Sequence, residues 1–252
     1  MLAHSERPGL SSDSSTPGYA SSEAQRNRIN CNGILAGALF VDFLIVALYG
    51  IFCIWLGLNA TPINLDREAN IPTWWSSTQL LVAGGAFGLV GFRNIYQTKG
   101  AWLGLCVAAV LVAMSLDETA SLHERVGFLV DMVFGNRSET VFDRTGLWFV
   151  VVGLPFAILF GFLVVATYKF FETVPYTVFR LAAGMTILLT GALGVEAITN
   201  FLGTNRRYFV GVAFEEGLEM VGGSILLWAG LTFLLRHKSM QEFGNVLRPL
   251  RA

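Results

Sequence analysis

Long apolar runs limit what this chain can fold into more than any other feature. Six stretches of more than about 20 residues are predominantly apolar, the length a helix needs to cross a bilayer core ~30 Å thick. They are Gly33–Leu58, Thr73–Ile95, Ala101–Leu122, Gly146–Tyr168, Val178–Leu202 and Tyr208–Leu235. Backbone groups in lipid must bond internally, so each run is expected to be a helix. Barrel strands would instead alternate over short segments. With 14% charged residues and 54% hydrophobic, the chain falls well below the roughly 25% charge of a soluble domain. The expected fold is therefore all-α, a polytopic bundle of six transmembrane helices. It occupies residues 30–238, between a polar tail at 1–29 and a short basic tail at 239–252.

The joints between runs carry the right breakers. Pro72, Gly100 and Pro175 sit between spans, while Pro155, inside the fourth run, predicts a kink. Trp74 and Trp75 open the second run, where an interfacial aromatic belt belongs. The Ser-rich N-terminal tail holds Pro8 and Pro17 and lacks the charged-then-apolar order of a cleavable signal. Cys31, Cys53 and Cys106 are scattered, and Cys53 and Cys106, in apolar context, read as small hydrophobes. No basic patch suits nucleic acid. The lipid bilayer is the first expected partner, and a multi-pass place in the cell membrane the expected location.

Lysine and arginine set the orientation. The side holding both termini collects eleven of them, Arg7, Arg26, Arg28, Arg93, Lys99, Lys169, Arg180, Arg236, Lys238, Arg248 and Arg251. The other side has six, Arg67, Arg125, Arg137, Arg144, Arg206 and Arg207. The positive-inside rule then puts both termini in the cytoplasm. Two Asn-x-Ser/Thr patterns, at Asn59 and Asn136, fall in loops on the outer side.

Against this apolar background the acids stand out. The third run leads into Met114–Gly127, which carries Asp117, Glu118, His123 and Glu124. The sixth contains Glu215, Glu216 and Glu219, and the fifth ends with Glu196 one turn before Asn200. An ionisable group at a bilayer midplane costs about 2.5–3.5 kcal/mol on insertion scales, so several at once imply a polar interior. The topology brings all three groups to the outer leaflet. At 1.5 Å per residue, Glu219 lies roughly 16 Å below Tyr208, near midplane. At about 100° per residue, Asp117, Glu118, Ser121 and Glu124 share one helix face. His123 points elsewhere unless the helix breaks near Ser121. Residues 122–134 are amphipathic, either a continuation of the third helix or a segment lying on the outer surface.

Three functional readings follow. In the first, Asp117, Glu118, His123, Glu124, Glu196, Glu215, Glu216 and Glu219 bind a divalent metal ion, for catalysis on a lipid-like substrate or as a transported small ion. Carboxylates with an imidazole suit Fe, Mn or Zn, and oxygen alone suits Mg, Ca or Mn. The chain lacks the paired Glu-x-x-His of bundle di-iron proteins and the H-E-x-x-H of zinc hydrolases. In the second, Asp42, Glu118, Glu196, Glu216 and Glu219 form the proton path of a proton-coupled transporter. Neighbouring acids raise one another's pKa and so hold protons near neutrality, and Asp42, on the inner half of the first span, would complete the route. In the third, the acids fix helix register in a non-catalytic scaffold subunit, and Asp42 is simply a satisfied helix–helix contact. The small residues Gly84, Gly85, Gly88, Gly222 and Gly223 read as close helix packing. Neither an organic cofactor nor a bis-histidine haem is indicated.

The segment Leu116 to Arg125, L-D-E-T-A-S-L-H-E-R, resembles a family of bacterial multi-pass membrane proteins of no assigned activity. In these an apolar helix runs into an L-D-E-x-x-x-x-H-E element, and an E-E-x-x-E-type helix follows late in the chain, here within Phe214–Met220. The resemblance implies a polytopic helical fold and transfers no activity. The chain is unlike ceramidase-type membrane hydrolases, which need several histidines it lacks.

Overall fold

The computed structural model describes residues 30–58, 60–134, 146–202 and 206–247. The tail at 1–29 lies outside these, as do Asn59 and Asn136 of the two acceptor patterns. From Cys31 onward the described residues are helical and include no strand.

Helix α1 (Cys31–Tyr49) runs on through a π-helical turn, Gly50–Trp55. A 3-10 turn at Thr61–Ile63 leads to α2 (Ile71–Asn94). Then come α3 (Ala101–Ala120) and α4 (Leu122–Phe134). A π turn at Phe149–Gly153 opens α5 (Leu154–Ala166), followed by the short α6 (Tyr168–Phe171). Helix α7 (Thr177–Leu189) passes through a π turn, Thr190–Val195, into α8 (Glu196–Thr199). The longest helix, α9 (Arg206–Arg236), is followed by α10 (Lys238–Leu247).

Five stretches are long and apolar enough to cross a membrane: Cys31–Trp55, Ala101–Ala120, Phe149–Ala166, Thr177–Thr199 and Arg206–Arg236. Among the described residues the protein is thus all-helical, with five helices of membrane-span length and composition. The second expected span, α2, is 24 residues long but falls outside this set. Its Ser76, Ser77, Gln79 and Asn94 lower its hydropathy, and all four are buried against protein. Burial in the bundle relieves α2 of the need to look apolar.

Helix α9 is the centre of the bundle, packing on α1, α2 and α7, and α2 packs along α3. The apolar core is anchored by Phe87, Phe170, Phe171 and Phe233, whose ring centroids lie 5.1 to 5.7 Å apart. Such edge-on and offset contacts are favoured by the ring quadrupoles. Outward-facing residues such as Phe43, Phe92, Phe162, Val165 and Phe179 are exposed, as lipid contact requires.

Three local features stand out. Pro155 stands in the first turn of α5, directly after the Phe149–Gly153 π turn. Proline has no N–H to donate to the turn before it, and the wider π turn accommodates that loss. The third span, expected over Ala101–Leu122, ends at Ser121, which is left-handed at φ 50. Residues 239–247, expected as the beginning of a basic tail, belong to α10. It is held to α2 by Arg93 Nε donating to the Ser239 carbonyl at 2.9 Å and Asn94 Nδ2 donating to Ser239 Oγ at 2.9 Å.

Candidate functional site

An open cavity of about 930 Å³ is lined by α2, α3, α4, α5, α7, α8 and α9. Its wall includes Asp117, Glu118, His123, Glu124, Glu196, Glu215, Glu216 and Glu219, eight residues picked out above from sequence. The charges of Glu219, Glu216, Glu118, Glu215 and Glu196 lie close enough to interact. Carboxylates far apart in the chain therefore share one space.

The break at Ser121 decides where His123 goes. On a straight helix the imidazole would point away from Asp117. With Ser121 left-handed, α4 starts in a new direction, and Asp117 sits over its first turn. Its Oδ1 accepts from the His123 backbone N–H at 2.7 Å, and Oδ2 lies 3.2 Å from His123 Nδ1. A carboxylate at a helix N-terminus bonds an otherwise orphaned N–H and meets the positive end of the dipole. The His123 ring lies 5.3 Å from that of Trp148, whose Nε1 donates to Glu196 Oε1 at 3.2 Å. One chain of contacts thus ties α3, α4, the head of α5 and α8 together.

Burial opposes a charged His123, but the hydrogen bond and charge of Asp117 outweigh it. With help from Glu196 and Glu68 they raise its pKa to about 9. The ring is therefore cationic at neutral pH. Its contribution to stability is fully present below its ordinary value of 6.5 and is lost as pH rises through about 9. An NMR titration of the imidazole should give a midpoint near 9, moving down by at least one unit in Asp117→Asn. A midpoint unchanged by that substitution would contradict the pairing.

The π turn Thr190–Val195 places Glu196 and makes room for the acids of α9. It is pressed against α9 so closely that a Cβ on Gly191 would stand 2.6 Å from the Glu215 carbonyl oxygen and 3.0 Å from Glu219 Cγ. Two of the three π turns border the cavity, consistent with the frequent use of such turns at functional sites.

The sequence reading missed the cover. Asp66, Arg67 and Glu68, from the loop between α1 and α2, also line the cavity. Asparagines hold that loop. Asn64 Oδ1 accepts from the Asp66 N–H, and Asn70 Nδ2 donates to the carbonyls of Asn64 and Arg67. Asn70 Oδ1 also caps α2 through the Thr73 N–H at 3.1 Å. Tyr208, near the start of α9, donates to Asp66 Oδ1 at 2.7 Å. Burial, then the charge of Glu124, pushes the Glu68 carboxyl above its ordinary range. The loop's place between two apolar runs was readable. Its fold over the cavity depends on asparagine side-chain bonds that no periodicity reveals. Among the described residues of this wall, nine carboxylates thus face Arg67 and His123 as the only basic groups.

Asp42 is elsewhere. Only 2% exposed, it forms no part of the cavity wall and instead bonds three helices. Its Oδ1 accepts from Trp75 Nε1 at 2.7 Å and Gln79 Nε2 at 3.1 Å, and its Oδ2 from Ser224 Oγ at 2.6 Å. It therefore stands at a buried joint between helices, apart from the carboxylates of the cavity wall. The metal expectation also meets a geometric limit. Among the described residues, no three His, Cys, Asp or Glu side chains are grouped as ligands of one ion. Bound ions need ligand atoms within about 2.0–2.6 Å.

No curated protein and no solved structure matches the chain. One family model does, over residues 34–235, from α1 to the end of α9 and hence the whole cavity. The chain belongs to that family, described as a domain of unknown function (DUF8692).

Proposed function

We propose that this protein is a multi-pass protein of the cell membrane that exchanges protons for a cation at its acidic cavity, as a proton-coupled transporter. In this reading α2 is a sixth crossing. Arg93, Arg236 and Lys238 mark the cytoplasmic side with both termini, and the cavity opens toward the outer leaflet. One observation carries the proposal: carboxylates from α3, α4, α8 and α9 line a single cavity with interacting charges. Like charges so close, in surroundings of low dielectric, need positive counter-charge. Protons and cations compete to supply it, and that competition is the basis of coupled exchange.

A divalent ion would need a rearrangement to bring three ligands together, so the metal reading is the weaker one. A scaffold has no use for so large a cavity.

Liposomes holding the purified chain and an internal pH dye test the proposal. A pH gradient is imposed with Na⁺, K⁺, Mg²⁺ or an organic ammonium on the opposite side. At least one of these cations should drive proton movement several-fold above empty liposomes. Glu216→Gln and Glu219→Gln should return it to background while keeping the unfolding temperature. Background flux with all four cations, beside stoichiometric metal in the purified chain that Glu118→Gln removes, would replace exchange with metal binding. Background flux with no metal would leave the scaffold.

A further inference from the structure

A second cluster of charge lies at the other end of the bundle, where α1 and α7 begin and α9 ends. Arg236 closes α9, about 26 Å beyond Glu219 at 1.5 Å per residue, so this end is remote from the cavity acids. Here Arg180, near the start of α7, lays its guanidinium over the indole of Trp228, with Cζ 4.0 Å from the ring centroid. Trp228 of α9 is held in turn by α1, its Nε1 donating to Asn32 Oδ1 at 3.2 Å. Three helices therefore position one cation.

That cation is left without an acceptor. Nη1 of Arg180 is shut off from water and has no hydrogen-bond partner. Among the described residues no carboxylate lies within ion-pair distance of the guanidinium. The charge of Arg236 is near enough to act on it, and no Asp or Glu of the described residues is among the charges that reach it. An indole face attracts the charge but offers no acceptor to the five N–H donors in the guanidinium plane. An arginine serving only to mark a membrane end would extend its head into water; this one is folded onto a ring. Beside it on α7, Tyr176 and Phe179 are 73% and 72% exposed, as on a lipid-facing surface. Two unpaired arginines, one of them pinned, suit a phosphate, whose oxygens match the guanidinium fork.

We propose that Arg180 and Arg236 bind the phosphate of an anionic phospholipid in the leaflet at this end of the bundle. The phosphate oxygens accept from the outer edge of the Arg180 guanidinium and from Arg236, while an acyl chain runs along α7 past Phe179. A zwitterionic headgroup would bring its own cation to a place that already holds two. The assignment rests on the membrane-spanning part of the reading above and not on exchange at the cavity.

The test is native mass spectrometry of the full chain in detergent, titrated with dioleoylphosphatidylglycerol, dioleoylphosphatidylcholine and free glycerol phosphate. The glycerol lipid should occupy one site about tenfold more tightly than the choline lipid. Arg180→Gln and Arg236→Gln should each weaken it about tenfold, the size of one charge-assisted hydrogen bond. Arg180→Lys keeps the charge and loses the fork, so it should weaken binding roughly threefold. Lys99→Gln is the control. Lys99 is exposed and follows α2 at the same end, where Arg93 meets Ser239. Its loss removes one positive charge away from the site and should leave the affinity unchanged. Arg236 is exposed, so Arg236→Gln should keep its unfolding temperature and stays informative if Arg180→Gln fails to fold. Equal affinity for the two lipids, an equal loss in Lys99→Gln, or affinity unchanged in Arg236→Gln or Arg180→Lys would overturn the assignment. Glycerol phosphate binding as tightly as the lipid would overturn it in favour of a soluble phosphate. A chain recovered from cells without detergent would refute the spanning reading itself, whereas a detergent-solubilised chain with no lipid preference refutes this site alone.

Discussion

Replacing Asp42 with alanine should destabilise the protein by about 3–5 kcal/mol, because three donors lose their acceptor at about 1–3 kcal/mol each. The carboxyl of α1 is the acceptor at which α2 and α9 meet. Trp75 and Gln79 reach it from α2, and Ser224 from α9. Gln79 Nε2 also donates to Ser224 Oγ at 2.9 Å, so the four groups form a closed network. Alanine would strand three donors out of reach of water, each costing about 1–3 kcal/mol unless it finds a new acceptor. In detergent or nanodiscs the unfolding temperature should fall by on the order of 10 °C. The variant Asp42→Asn keeps an acceptor for Trp75 and Gln79 and should cost less than half as much. A change under about 0.5 kcal/mol in Asp42→Ala, the scatter of an ordinary surface substitution, would mean that the network does not hold the helices. Asp42→Asn that kept its stability but lost proton movement would return Asp42 to the proton path.

What the sequence disclosed follows from what each signal measures. Hydropathy measures how apolar a run is, so it found the five long apolar helices, the central α9 among them. It made α2 look like the rest only because Leu80–Val90 is apolar. The buried Ser76, Ser77 and Gln79 of the same helix reflect neighbours, which hydropathy does not see. The acids were legible because an ionisable side chain in an apolar run is too costly to stand alone. That principle places Glu118, Glu196 and Glu216 in a polar interior without saying which neighbours they have. It also drew in Asp42, since the cost is relieved equally by a cavity or by three hydrogen bonds. The His123 position turned on one dihedral, at Ser121. Angular bookkeeping showed that a break was needed there, and serine is no strong marker of the left-handed region. The Asp66–Glu68 cover was illegible for a further reason. Its geometry is set by side-chain-to-backbone bonds from Asn64 and Asn70, which leave no periodic trace.

The second large effect is expected where α7 crosses α9. A Cβ added to Gly222 would stand 2.6 Å from the backbone nitrogen and Cβ of Leu188 and 2.7 Å from the Gly184 carbonyl oxygen. A Cβ on Gly184 would in turn lie 3.0 Å from the Gly222 carbonyl oxygen. These obstacles are mostly main chain, so no rotamer change clears them, and Gly222→Ala must push the helices apart. Overpacking of this kind costs about 1–3 kcal/mol, and Gly222→Val should lie at or beyond the upper end. Gly85→Ala is the control. It is helical and exposed, with nothing within 4 Å of its added Cβ, so it should be neutral or slightly stabilising by relief of backbone entropy. The damage should reach the cavity. Glu219 lies less than one turn before Gly222, and α7 continues through its π turn to Glu196. Separating the helices at Gly222 therefore shifts the α9 acids relative to Glu196 and the Gly191 contact. Gly222→Ala should lose cation-driven proton movement along with thermal stability, whereas Glu216→Gln should lose proton movement alone. If Gly222→Ala matched Gly85→Ala in unfolding temperature, the close approach of α7 and α9 would be wrong, and with it the alignment of their carboxylates.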